Sequence, residues 1–388
     1  MPWVSPKDMK RSRIGDAEDH VSESAVGNGT RLVPEDTLLM VVRGMILAHT
    51  FPVAITTAPV TFNQDVKALR PSPSFEPDFM LHWLQAAQGE VLRLVDVANH
   101  GTKRLPTERL HAMSVPRPPL PEQRKIAAIL SSVDETIEKS EAVIDQLQVV
   151  KKAMMEELLT RGMPGRHTRF KQTEIGEIPE GWEVVELGDV LDGIDAGWSP
   201  QCEAGSAGPD EWGVLKVSAV SWGEFRPWEN KRLPADLMPR PHLEVRDGDV
   251  ILSRANTPDL VGRSVLASNP RPKLMLSDKL LRLRPSSRTI PPYVNLVLGL
   301  PRARAYISEA STGTSLSMKN ISQDKIRQLP VALAPIEEQR AICDAIAAAG
   351  ECVRAADREL GSLRLVKSSL SAALLSGDLR VPLDEAPA

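Results

Sequence analysis

The sequence has little of what most secreted or catalytic proteins carry. Three cysteines in 388 residues (Cys202, Cys343 and Cys352) can build neither a disulfide framework nor a metal site. A reduced, cytoplasmic chain is expected on that ground, with Cys343 and Cys352 as small packing residues of a helix. No apolar run reaches membrane-spanning length, and the polar first 25 residues do not read as a signal peptide. The seven histidines (20, 49, 82, 100, 111, 167 and 242) show no ligand spacing. There is no phosphate loop of the form Gly-x-x-x-x-Gly-Lys-Ser/Thr and no His-Glu-x-x-His. Catalysis, a bound metal and a cofactor are therefore not expected in this chain.

What the chain does have is one stretch present twice. Val115-Pro-Arg-Pro-Pro-Leu-Pro-Glu-Gln-Arg124 leads into a helical pattern ending at Leu159, and Val331-Ala-Leu-Ala-Pro-Ile-Glu-Glu-Gln-Arg340 leads into one ending at Leu375. An offset of 216 relates the two copies without a gap, pairing Pro119 with Pro335, Glu122 with Glu338, Gln123 with Gln339 and Arg124 with Arg340. Apolar residues then recur at alternating four- and three-residue steps. They include Ile126, Leu130, Ile137, Ile144 and Leu147 in the first copy, and Ile342, Ile346, Val353, Leu360 and Leu363 in the second. A 3.5-residue period predicts a coiled-coil seam, with Lys151 and Lys367 as one polar layer that fixes register. Pro121 suits a first helical turn, Glu122 and Glu338 favour the helix N-termini, and Arg161-Gly-Met-Pro-Gly165 breaks the first helix. A helix over 122–161 would be about 60 Å long at 1.5 Å per residue, a ruler that a second helix over 338–375 repeats.

The stretches between the helices read as globular domains with strand signals. In residues 1–115 the runs Thr37–Arg43, Pro52–Thr56 and Val60–Leu69 read as strands, Phe79–Leu94 as a helix and His100–Thr102 as a loop. In residues 167–330, Glu183–Leu191 reads as a strand entering a short helix. Gly197–Pro209 reads as a polar loop, and Val214–Val217, Asp249–Ser253, Ser264–Ala267 and Lys279–Arg284 as strands. Pro292–Ile307 reads as a helix. The two domains echo one another weakly. Asn63–Asp65 before Pro71 answers Leu276–Asp278 before Pro285, and Gly101-Thr102 answers Gly313-Thr314. The first domain is short at its front, which points to a missing or truncated N-terminal segment. The expected layout is a domain over 1–115, a helix within 116–166, a second domain over 167–330, and a helix with tail over 331–388. That is an α+β fold with an internal pseudo-twofold repeat and an antiparallel helix pair.

The net charge of −4 hides a segregation. Residues 254–330 hold 13 Arg/Lys against 4 Asp/Glu, whereas residues 182–253 hold 6 against 14. A basic stretch in an acidic chain can face phosphates. Five of the seven tryptophans (182, 198, 212, 222 and 228) crowd the front of the second domain as expected core, with Trp198 the candidate for a surface contact. In the basic half, Arg254 and Asn256 follow a strand end, and Thr314, Ser315, Lys319 and Asn320 sit in a Gly-Thr-Ser loop. Arginine and asparagine can read purine edges bidentately, while serine, threonine and lysine suit phosphate contacts. Glu244, Asp247 and Asp249 lack the spacing of a nuclease metal site and read as turn carboxylates. Ile290-Pro-Pro-Tyr293 has the shape of the loop with which adenine methyltransferases hold their target base. Ile290, however, stands where the hydrogen-bond acceptor must be, so a helix opening is the better reading.

Taken together, Pro118-Pro-Leu-Pro-Glu-Gln-Arg124, Ala334-Pro-Ile-Glu-Glu-Gln-Arg340 and Thr173-Glu-Ile-Gly-Glu-Ile-Pro-Glu-Gly-Trp182 resemble the specificity subunits of type I restriction–modification systems. The resemblance covers essentially the whole chain. It implies two target-recognition domains, each reading half of a bipartite, asymmetric site in double-stranded DNA. It also implies an antiparallel helix pair that sets the spacer between the halves. Such subunits are not catalytic. Two modification subunits, which bind S-adenosylmethionine, and restriction subunits, which use ATP and Mg, dock on them. A truncated member that assembles but reads only one half-site is the alternative.

Overall fold

Runs of Val, Ile and Leu that are buried along their whole length form the central strands of two sheets. The structure, a computed structural model, describes every residue except 98–100, 203–204, 222, 316–317 and 383–388, and leaves out the side chains of Thr314 and Ser315. His100 and Trp222 therefore lie outside the described residues. The chain divides into two compact units, one of residues 1–144 and 355–388 and the other of residues 145–354. Each contains one sheet domain and half of each long helix, so the units cut across the order in which the elements follow in sequence.

The first unit has a four-stranded sheet ordered Arg13–Ile14, Val53–Thr56, Leu38–Val41 and Val66–Leu69. The Leu38–Val41 strand is antiparallel to both neighbours, with Leu38 opposite Ile55 and Leu69. The expected single strand over Val60–Leu69 is instead two, because a turn carries a Val66 N–H to Asn63 carbonyl bond between them. The helix over Phe79–Leu94 is likewise two, Pro77–Ala86 and Gln88–Arg93, with a break at Ala87.

The second unit repeats the three-stranded centre. Val250–Ser253 runs antiparallel to Ser264–Leu266 and to Leu280–Pro285, with Val250 opposite Leu266 and Leu283. The residue pairs match those of the first sheet one for one, so the weak sequence echo is a shared register. The fourth strands differ. In the second sheet Leu191–Ala196 adds beside Leu280–Pro285, whereas in the first sheet Arg13–Ile14 adds at the opposite edge. The helix expected over Pro292–Ile307 is two, Pro291–Gly299 and Pro301–Ala310. The residue before a proline is pushed out of the α region, and Leu300 takes φ −62° and ψ 143°. The Gly-Thr-Ser stretch is not a loop: Thr312–Ser315 is a strand paired with Met318–Asn320.

The long helices span Leu120–Arg161 and Ile336–Ser376. Each ends at a left-handed glycine, Gly162 (φ +78°) and Gly377 (φ +85°), a conformation that costs a residue without Cβ little. In the first unit Ile126 and Leu130 share a core with Leu374 and Leu375, and Ile137 and Ile144 pack with Leu360 and Leu363. In the second, Leu158 and Leu159 share a core with Ile342 and Ile346. Helix starts meet helix ends within each unit, so the pairing is antiparallel. Leu147, Val353 and Leu363 are half-buried rather than buried. Cys343 is buried and its thiol is pushed up to about 12 by burial. Cys352 is exposed, so it is not a packing residue.

The polar layer is not the same in the two copies. Lys367 forms an ion pair with Asp134, whose carboxylate also lies 3.8 Å from His82 Nδ1. The residue 216 positions after Asp134 is Gly350, and Lys151 lies beside it with no carboxylate there.

The repeated Glu-Gln-Arg is a junction. Gln123 and Gln339 are fully buried at the start of their helices. The Gln123 amide accepts from the Glu76 N–H (2.8 Å) and donates to the carbonyls of Ser74 (3.0 Å) and Pro118 (2.8 Å). Gln339 accepts from the Ile290 N–H (3.1 Å) and the Thr289 hydroxyl (3.0 Å), and donates to the carbonyls of Arg288 (3.1 Å) and Ala334 (2.8 Å). Each glutamine thus ties its helix to the segment that opens a short helix of its own sheet domain. The glutamate before it faces the other way. Arg380 donates twice to Glu122 at 2.6 Å, while Glu338 accepts from the Met163 N–H (3.1 Å), His167 (2.7 Å) and Trp182 Nε1 (3.0 Å). These partners follow the end of the opposite long helix. The glutamates are therefore buried latches rather than simple helix-dipole partners.

Candidate nucleic-acid interface

Strand pairing in the second unit assembles the predicted residues from two distant segments. The Val250–Ser253 strand ends at Arg254, and Ala255–Asn256 then pairs with Met318–Asn320, placing Ala255 opposite Asn320 and Asn256 opposite Lys319. Arg254 is fixed by its backbone, donating to the Lys279 carbonyl (2.8 Å) and accepting from the Ile321 N–H (3.0 Å). Its half-exposed guanidinium has no hydrogen-bond or ion-pair partner among the described residues. Asn256 is committed internally, donating to the hydroxyls of Ser221 (3.0 Å) and Ser253 (3.3 Å) and accepting from the Thr257 N–H (2.9 Å). Lys319 Nζ donates to the Gly313 carbonyl (3.0 Å), and Asn320 is exposed. Asn256, Lys319 and Asn320 thus share one small sheet, and Arg254 immediately precedes its first strand. The backbone of Thr314 and Ser315 joins the same sheet, and their side chains lie outside the described residues.

Trp198 sits on a separate loop held against the turn Leu276–Lys279. A Cβ on Gly197 would collide with the backbone of Leu276 and Ser277, so only glycine permits this approach. The Trp198 N–H bonds the Leu276 carbonyl at 2.9 Å, and the Ser199 hydroxyl and the Asp278 carboxylate and N–H clasp one another. The indole is half-buried, with the Arg240 guanidinium 4.0 Å from its ring centroid. The turn at 276–279 therefore joins the Trp198 loop on one side to Arg254 on the other.

Part of the basic stretch is internal. Arg282 is held between Asp195 (2.9 Å) and Asp249 (3.2 Å) and donates to the carbonyls of Glu244 and His242. Burial alone would lower its pKa, and the two carboxylates more than reverse that. Arg302 and Arg304 are lowered by burial and donate to the carbonyls of Ile175 and Asp259. The carboxylates near 244–249 are all engaged: Glu244 accepts from the Lys273 N–H and Asp247 from the Asn269 N–H. No group of His, Cys, Asp and Glu among the described residues could hold a metal ion. Sequence reasoning missed Lys216, Lys231 and Lys279, which converge from three segments beside the Trp198 loop.

Two sheet domains of one register, each joined by a buried glutamine to one of two antiparallel helices, define a tandem-repeat protein built from two domain-and-helix modules. Residues 1–149 match the family model of the type I restriction modification DNA specificity domain. Those residues thus carry the DNA specificity domain of type I restriction modification systems, and the rest of the chain is similar to specificity subunits of such systems. The chain is 41% identical over 172 residues to the EcoEI specificity subunit of Escherichia coli, covering 44% of this chain and 29% of that protein. It is 30% identical over 278 residues to the MjaVIII specificity subunit of Methanocaldococcus jannaschii, covering 69% and 63%. The chain thus spans less than two thirds of the length of these relatives. Among solved structures, the specificity subunit from M. genitalium aligns with a TM-score of 0.52 at 13% identity, covering 96% of this chain and 92% of that one. A chain from a study of type I complex assembly and conformational transition aligns with a TM-score of 0.56 at 17% identity, covering 90% and 84%. Both show the fold. No helix among the described residues is long and apolar enough to cross a membrane.

Proposed function

We propose that this chain is the DNA-reading subunit of a type I restriction–modification complex. Each sheet domain reads one half of a bipartite, asymmetric duplex site, and the paired long helices set the spacer between the halves. The observation that carries this reading is the shared sheet register. The same three-stranded centre recurs, and the same buried glutamine ties the start of each long helix to the segment opening a short helix of its domain, so two comparable readers are mounted on one repeated support. In the second domain the free guanidinium of Arg254 and the exposed Asn320 are the base-reading candidates, with Lys319 beside them. Trp198 contributes a contact from the neighbouring loop. The Asn256 amide holds the strand end in place.

The chain supplies recognition and assembly, not catalysis. S-adenosylmethionine, ATP and Mg belong to the partner subunits, which work with it in the cytoplasm. An exposed apolar pair recurs at the repeat offset, Val149 (61% exposed) with Val150 (49%) and Leu365 (71%) with Val366 (50%). Two such patches of like chemistry suit two copies of one partner, as two modification subunits require.

Co-expression with the adjacent modification subunit, followed by long-read mapping of methyladenine, tests the reading. A bipartite motif methylated on both strands is expected. A one-sided or palindromic motif would mean that the first domain does not read DNA. Absence of any motif from a stable complex would overturn the reading.

A further inference from the structure

The cleft beside the Trp198 loop has a chemistry of its own. It is a cavity of about 330 Å³ walled by Ser199, Pro200 and Cys202, by 214–217, by Lys231 and by the turn 277–279. Three amines from three segments, Lys216, Lys231 and Lys279, line it, although the surrounding residues 182–253 are acidic overall. Lys216 shares Glu229 with the Ser218 hydroxyl, whereas Lys231 and Lys279 are exposed and have no ion-pair partner among the described residues. Ser277 also lines the cleft; the residue is 94% buried, and its hydroxyl has no hydrogen-bond partner among the described residues. Asp278 contributes the one carboxylate, and Ser199 already donates to it. A buried hydroxyl left unmatched at the wall of a cleft lined by lysines favours an acceptor that carries negative charge.

We propose that this cleft grips a phosphodiester group of the DNA backbone. The assignment rests on the DNA-reading function above and adds a positioning site to it. Lys231 and Lys279 supply the charge, and the Ser277 hydroxyl donates to a phosphate oxygen. The Lys279 carbonyl also accepts from the Arg254 N–H, so one turn carries both the grip and the base-reading strand. Phosphate contacts set register and carry no sequence information themselves. The grip therefore positions Arg254 over its base without choosing the base.

The test is DNA binding by the reconstituted complex of full-length chain and modification subunit, read as affinity against salt. The probes are a duplex bearing the methylated motif and a scrambled duplex of equal length. Each phosphate contact contributes a slope of about −0.9 in log affinity against log salt, which is roughly eightfold at 0.1 M. The double variant Lys231→Gln/Lys279→Gln should reduce the slope by about two and weaken both duplexes about 60-fold, with the methylated motif unchanged. Ser277→Ala should weaken both duplexes equally without changing the slope. Cys202 lines the same cleft, so its alkylation should slow when duplex is added. An unchanged slope in the lysine variant, with normal wild-type binding, would overturn the grip. Loss of discrimination between the duplexes at an unchanged slope would make the cleft a base reader instead. Protection of Cys202 by inorganic phosphate but not by duplex would move the assignment to a free anion. If the wild-type complex binds neither duplex, the DNA-reading function itself has failed.

Discussion

Replacing Gln339 with alanine separates the junction role of this side chain from a mere helix-start role. The amide makes four hydrogen bonds, and their surroundings decide the cost. Thr289 and Ala334 are buried, so their freed hydroxyl and carbonyl cannot readily recruit water. Arg288 is exposed and Ile290 half-buried, so their groups can. Two unsatisfied buried groups at about 1–3 kcal/mol each give a loss of about 4 kcal/mol in the second unit. Gln123→Ala is the internal control. Its three partners, Ser74, Glu76 and Pro118, all lie in half-buried residues, so the loss in the first unit should be only about 1–2 kcal/mol. Native-state hydrogen exchange reads both losses locally. The amide of Ile290 in Gln339→Ala should exchange on the order of a hundredfold faster or more, and that of Glu76 in Gln123→Ala about tenfold faster. Equal effects, or protection of Ile290 unchanged in Gln339→Ala, would refute the argument that burial of the partners sets the cost.

Four further outcomes are expected. His82 is held below its usual pKa by burial and by Lys367 and Arg13, against Asp134 and Asp78, which act to raise it. The folded first unit therefore binds fewer protons than the unfolded chain, and its stability should fall as pH drops below about 6.5. In His82→Leu that acid-side loss should flatten, measured by denaturant unfolding at a series of pH values. Burial raises the Glu338 pKa, but the bonds from Met163, His167 and Trp182 outweigh it and leave the pKa lowered. Its stabilisation is thus present above about pH 4.3 and lost as pH falls through the lower folded value. At pH 7, Glu338→Gln should cost the second unit about 2–3 kcal/mol in denaturant unfolding, because an amide NH₂ then faces N–H donors. Leu365→Glu should remove one of two bound modification subunits in native mass spectrometry, and Leu365→Glu/Val149→Glu should remove both. Deleting one matched heptad from each long helix should change the spacer of the methylated motif and leave both half-sites intact.

The parts of this protein that were legible in its sequence are those set by short-range spacing. Ile126, Leu130, Ile137 and Ile144 declare a helix seam because their spacing is itself the geometry, and all four are buried. The echo between the domains was faint in sequence because only the residue types of a sheet centre must agree. It became plain as register, with Leu38 opposite Leu69 where Val250 faces Leu283.

What stayed hidden depends on partners far apart in the chain. Glu122 reads as a helix-start carboxylate until Arg380, 258 residues away, is found on it. Arg282 reads as part of a basic surface until Asp195 and Asp249 enclose it. The candidate interface falls between these cases. Arg254 and Asn256 were visible because they follow a clear strand. Their meeting with Lys319 and Asn320 required a pairing across 63 residues, which residue chemistry suggested and spacing could not. The cleft lysines carried no signal of this kind. Lys216, Lys231 and Lys279 sit in unrelated local contexts, and a solvated face predicts the same residues. Only the convergence of their three segments on one cleft, which Ser277 with its unmatched hydroxyl also lines, favours the proposed grip for phosphate over ordinary surface charge.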